Sequence, residues 1–111
     1  MSPRILVVDD DTMTLKVLRR LLASEGFVAE ASESGAAALA QLQAADFDIL
    51  LTDLVMPEMD GLALTVAART LRPALRCMIM SGLPRLGNEG VDVGWIAKPL
   101  DIDTLLGLLA K

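Results

Sequence analysis

A chain of 111 residues with 53% hydrophobic content and a net charge of −5 has the size and apolar supply for one domain, residues 1–111, with no disulfide or metal staple. Its acidity and scattered Lys and Arg argue against a nucleic-acid surface, and no apolar run approaches the roughly 20 residues that span a bilayer. "MSPR" leads into a short strand instead of a signal segment, so a cytoplasmic protein is expected; the absence of histidine excludes His-based metal sites, catalytic triads and a phosphohistidine carrier.

In chain order, "RILVVD" reads as a fully buried strand. Leu15, Leu18 and Leu22, flanked by Val17 and Leu21, then form a helical stripe that ends at Gly26, a C′ glycine. "FVAEA" is a second, shorter strand. Ser34 caps a helix to about Gln43, with Ala38, Leu39 and Leu42 facing inward, and "FDILLTD" is the third strand. Asp60 caps a third helix whose apolar face includes Leu62 and Val66 and which must finish before Pro73. "RCMIM" is the fourth strand, and its Cys77, the only cysteine, reads as a buried thiol. "GWIA" is the fifth strand, and Asp101 caps a last helix carrying Ile102, Leu105, Leu106 and Leu109.

Short apolar strands alternating with helices predict an α/β fold, a largely parallel sheet with helices on both faces. In such sheets ligands gather at the carboxyl ends of the strands. Those ends carry Asp9, Asp10 and Asp11 on strand one, Asp53 on strand three, Ser81 and Gly82 on strand four, and Lys98 and Pro99 on strand five. Taken singly each has an ordinary explanation: a helix cap, a turn acid, a strand-to-loop serine, a solvated lysine. Together they do not. Three aspartates converging in a partly desolvated cleft repel one another, and a bound cation is the usual remedy. Oxygen donors without His or Cys indicate Mg²⁺ or a similar hard ion. With an ammonium and a hydroxyl opposite, the set could clamp a phosphoryl group, with Asp53 as a nucleophile that needs no general base because a carboxylate is ionised at neutral pH.

The motifs "ILVVDDD", "LLTDLVMPEMDG", "MSG" and "AKP", in order and spacing, resemble the response regulator receiver domains of two-component signalling along essentially the whole chain. The resemblance implies a flavodoxin-like, doubly wound five-stranded sheet of order 2-1-3-4-5. It further implies that Asp53 is the phosphoacceptor and that Asp10 and Asp53 bind Mg²⁺ directly. Asp9 would act largely through water, and the backbone carbonyl of Val55 would complete the ligands. Ser81 would bond the phosphoryl group and Lys98 pair with it, while Ser81 and Trp95 would be switch residues. A cis Lys98-Pro99 peptide and a helix-capping Asp11 are also expected. The implied donor is a phosphohistidine on a sensor histidine kinase or a histidine phosphotransfer protein, and the domain is not itself expected to be an enzyme.

Two departures from the family pattern stand out. Between Ser81 and Trp95 lie only "GLPRLGNEGVDVG", too rich in Gly and Pro for the fourth helix that receivers place there. That helix is expected to be absent or reduced to a turn, which removes the expectation of family-type dimerisation through it. Val55 and Leu83 stand where many receivers have polar groups that orient a hydrolytic water, so a long-lived aspartyl phosphate is expected. With no output domain after the last helix, the chain reads either as a stand-alone receiver or as a piece of a longer kinase. Competing readings are a pseudo-receiver that works as an interaction module without phosphate, a Mg²⁺-dependent aspartyl phosphohydrolase, and a purely structural flavodoxin-like domain. The hydrolase pattern D-x-D-x-T fails at Met13, the complete set of Asp9, Asp10, Asp53, Ser81 and Lys98 argues against the pseudo-receiver, and a purely structural domain leaves Lys98 and the acid cluster unexplained.

Overall fold

The computed structural model describes residues 2–82 and 93–110. The elements run β1 (Arg4–Val8), α1 (Thr12–Ser24), β2 (Val28–Ser32), α2 (Gly35–Ala44), β3 (Ile49–Asp53), α3 (Gly61–Leu71), β4 (Arg76–Ser81), β5 (Gly94–Ala97) and α4 (Ile102–Leu109). All strand pairs are parallel, in the order β2-β1-β3-β4-β5, as expected. The segment in which no more than a turn was expected, residues 83–92, lies outside the described residues.

Strand alternation divides the core into two layers. On one face Leu6, Val8, Leu50, Cys77 and Ile79 pack against Ala38 and Leu42 of α2 and Leu64 and Ala68 of α3. On the other, Ile5, Val7, Ile49, Leu51, Met78 and Met80 pack against Leu15, Leu18 and Leu22 of α1 and Leu105 and Leu109 of α4. Both faces of β1, β3 and β4 are therefore dry, which is why these strands read as unbroken apolar runs. β2 lies at an edge, and its Val28 is 45% exposed.

The helix starts follow local chemistry. Asp11, Ser34 and Asp60 accept from the backbone N–H of Met13, Ala37 and Ala63 at 3.1, 3.1 and 2.8 Å, each satisfying a donor that the first helical turn leaves unpaired. Gly26, just past α1, has φ +94°, the left-handed conformation that glycine adopts without a Cβ penalty.

Three local expectations need correction. Asp101 stands at the N-cap of α4, but its carboxylate takes the Thr104 hydroxyl at 2.7 Å instead of a backbone N–H. On α3 the buried residues are Gly61, Leu64, Thr65 and Ala68, while Val66 is 56% exposed and Leu62 only partly covered. "GLALTVAARTL" is apolar at nearly every position, so periodicity could not select a face; the buried positions 61, 64, 65 and 68 recur at helical spacing, and Gly61 lets the start of the helix approach the sheet closely. On α1, Val17 and Leu21 lie outside the buried stripe and are exposed.

Candidate functional site

The register of the sheet brings four strand ends level. Val8 pairs with Thr52, so Asp9 and Asp53 follow at the same height on adjacent strands. Asp53 pairs with Met80, one residue before Ser81, and Ser81 pairs with Ala97, one residue before Lys98. The Lys98 N–H donates to the Ser81 carbonyl at 2.9 Å, extending the ladder, and the Lys98-Pro99 peptide is cis.

Side chains converge at this edge. Carboxylate oxygens of Asp9, Asp10 and Asp53 all lie within 4.8 Å of one another, with Asp9 and Asp53 buried and Asp10 exposed. Lys98 Nζ stands 2.9 Å from Asp53 Oδ1 and 3.6 Å from Asp9 Oδ2. The Asp11 N–H donates to Asp9 Oδ1 at 2.9 Å, but Asp9 Oδ2 accepts no hydrogen bond among the described residues. Asp11 itself is committed to α1, since its carboxylate takes both Met13 N–H and the Thr14 hydroxyl. Those two bonds, the hydroxyl first, hold its pKa below the ordinary value.

The electrostatics express the crowding. Burial pushes the Asp9 carboxyl above its usual pKa, and the charges of Asp53 and Asp10 add to this against the opposing Asp11 N–H and Lys98. For Lys98 burial is the largest single influence and acts downward, but the hydrogen bond and charge of Asp53, and then the charge of Asp9, outweigh it, so the ammonium is held above its ordinary value. Among the described residues, one partly buried cation, Lys98, faces three acids. The donor set is all oxygen, and a buried carboxylate oxygen without a hydrogen bond faces it, so the residues fit a hard divalent cation such as Mg²⁺.

The remaining site residues take distinct places. Ser81 is buried at the end of β4. Val55, two residues beyond Asp53, turns its side chain outward and is 63% exposed. Trp95 lies on β5 opposite Ile79 and packs, partly buried, against the layer shared with α2 and α3.

Residues 5–110 match the family model described as the response regulator receiver domain. The chain belongs to that family. The receiver is 39% identical over 113 residues to the response regulator receiver protein CpdR of Brucella abortus, a match that covers 97% of this chain and 94% of that protein. It is 37% identical over 112 residues to the transcriptional regulatory protein ZraR of Escherichia coli K12, which covers 96% of this chain but 25% of ZraR; the receiver thus spans about a quarter of the length of such regulators. In structure it resembles the chemotaxis protein CheY4 of Vibrio cholerae, with a TM-score of 0.91 at 26% identity over 99% of this chain and 98% of the other. The receiver domain of the hybrid histidine kinase CckA gives a TM-score of 0.84 at 30% identity, covering 96% and 95% of the two chains. Receivers are signalling modules of two-component systems, and the acidic pocket here is compatible with Mg²⁺ and with phosphorylation.

Two features of the site were not legible in the sequence. Gly61, by its place in "MPEMDG", reads as an ordinary turn glycine, yet a methyl group built on it would fall inside the contact radius of the Asp53 carbonyl oxygen and 3.0 Å from Leu54 Cα. Its N–H donates to the Leu54 carbonyl at 2.7 Å, closing the loop that begins at the acid. The second is a groove beside Lys98, lined by Met13, Val17 and Leu21 of α1 and by Pro99 and Leu100. Its signal was present as apolar residues on α1 beyond the buried Leu15, Leu18 and Leu22.

Proposed function

We propose that residues 1–111 act as a cytoplasmic phosphoacceptor receiver domain, taking a phosphoryl group from a phosphohistidine of a sensor histidine kinase or histidine phosphotransfer protein onto Asp53. The observation that carries this reading is Lys98 Nζ 2.9 Å from Asp53 Oδ1 inside a pocket of three carboxylates. An Asp53 carboxylate oxygen forms the bond to phosphorus as the P–N bond of the donor breaks, and the bonding pair returns to the imidazole nitrogen. Asp10, Asp53 and the Val55 carbonyl would hold Mg²⁺, with Asp9 acting largely through water. When bound, the ion supplies positive charge to the phosphoryl oxygens and to the crowded acids.

Lys98 would then exchange its contact with the carboxylate for one with a phosphoryl oxygen, and Ser81 would donate its hydroxyl to another. Phosphorylation adds nearly two negative charges at pH 7, and the inward pull on Ser81 and Lys98 would be passed along β4 and β5 to Trp95. Couplings of this kind are about 1–3 kcal/mol, enough to shift a population between two arrangements. The apolar groove beside Lys98 supports a protein donor, because it offers a landing surface next to the acceptor.

The test uses Trp95, the only tryptophan. Its emission should change on adding Mg²⁺ and again on adding acetyl phosphate or beryllium fluoride, and Asp53→Asn should abolish the second response. Incorporation should stop at one phosphoryl group per chain. Continued turnover of a phosphate ester would favour the hydrolase, and a magnesium-loaded protein that no donor modifies would favour the interaction module.

A further inference from the structure

We infer that Met59 is a positioning residue for the metal pocket: seated in a notch over Gly35, it fixes the loop that carries Val55. The inference rests on the reading above, in which the Val55 carbonyl is a Mg²⁺ ligand. The loop leaves the sheet at Asp53 and enters α3 at Gly61. Its base is tied by Leu54 N–H to the Met80 carbonyl at 3.0 Å and by Gly61 N–H to the Leu54 carbonyl at 2.7 Å. Met56 is buried, with its sulfur 4.0 Å from the Thr52 hydroxyl. Beyond it the loop has little to hold it, since Pro57, Glu58 and Asp60 are all exposed.

Met59 is the exception. It packs against the layer formed with α2 and α3, and a Cβ built on Gly35, the first residue of α2, would lie 2.7 Å from Met59 Sδ and 3.2 Å from both its Cβ and its Cγ. The sulfur could swing aside, but Met59 Cβ is fixed to the loop backbone. The fit therefore reports on where the loop itself sits. Immediately before it, Glu58 has φ 69°, and Met59 N–H reaches the Pro57 carbonyl at 2.7 Å, a tight three-residue turn. A non-glycine residue stays in that conformation only when its surroundings enforce it. Two contacts that follow Glu58 do this: Met59 in its notch, and then the Asp60 cap of α3.

With the anchor gone, Glu58 is free to relax to negative φ, and the loop from Val55 onward loses its fixed height above the acids. Mg²⁺ tolerates little departure from octahedral geometry, so the loss should appear first in metal affinity.

The experiment is a Mg²⁺ titration of metal-free protein, read by calorimetry and by Trp95 emission, with urea unfolding measured alongside. Met59→Ala should weaken Mg²⁺ binding about fivefold to tenfold, and Met59→Leu should restore it to within about twofold. Gly35→Ala should also weaken binding, because its methyl would press on Met59 Cβ, a contact that swinging the thioether aside does not relieve. Leu109→Ala, in the opposite layer, should cost stability without changing Mg²⁺ affinity. Wild-type affinity in Met59→Ala, or equal weakening by Leu109→Ala, overturns the inference alone. A wild-type protein with no saturable Mg²⁺ binding overturns the metal reading as well.

Discussion

Substituting Gly61 by alanine should damage both the fold and the site, and the size of the effect follows from the geometry. The new methyl would press on the Asp53 carbonyl oxygen and stand 3.0 Å from Asp53 C and Leu54 Cα, so every clashing atom is backbone and none can rotate away. Reaching a carbon–oxygen separation of about 3.3 Å requires the start of α3 to retreat from β3 by about 1 Å. Overpacking of this kind costs about 1–3 kcal/mol, and disturbing the Gly61 to Leu54 hydrogen bond adds about 1 kcal/mol. A total near 3 kcal/mol, with a urea m-value of about 2 kcal/mol/M, lowers the unfolding midpoint by about 1.5 M. The control is Gly26→Ala, where no atom lies within 4 Å of the new methyl and only the positive φ is penalised, at about 1 kcal/mol. Because the displaced carbonyl belongs to the proposed acceptor, the rate of phosphorylation by acetyl phosphate should fall by up to about a hundredfold in Gly61→Ala and stay at the parent value in Gly26→Ala. Equal midpoints and equal rates for the two variants would refute the reasoning.

Asp9, whose pKa is raised by burial and by Asp53, contributes stability below the unfolded value of 3.8 and loses it as pH rises through the folded value. Metal-free Asp9→Asn should therefore unfold at higher urea than the parent at pH 7, with the gap closing toward pH 4 and shrinking when Mg²⁺ is added; a lower midpoint at pH 7 would contradict this. Lys98, raised by its carboxylate partners, contributes stability below 10.5 that is lost as pH rises through its higher folded value. Lys98→Met should accordingly cost about 1–2 kcal/mol at neutral pH after allowance for solvent screening, and flatten the alkaline limb of the stability profile. Val55→Asn, at a residue that is 63% exposed, should leave stability nearly unchanged while shortening the aspartyl phosphate lifetime about tenfold, or roughly 1.4 kcal/mol of barrier, in a phosphoryl-decay assay; a parent that already decays faster would remove the role assigned to Val55.

Element order, fold class and the strand-end residues were all legible in the one-dimensional pattern, because buried parallel strands need continuous apolar runs and helix starts need side-chain acceptors. Asp9, Asp53 and Lys98 could be grouped without coordinates, since parallel strands place their carboxyl ends at one edge and ligand chemistry collects there. What the pattern could not decide was direction and distance. "GLALTVAARTL" has no single apolar face, so the exposure of Val66 and the burial of Thr65 were settled only by how closely α3 approaches the sheet. The same holds for Asp101, where a hydroxyl one turn ahead took the place of the backbone donor. Gly61 and Gly35 look like ordinary turn and helix-start glycines in sequence. Only the packed chain brings Asp53 and Met59 into the volume a side chain there would need, because steric exclusion depends on contacts between segments that local preference does not encode.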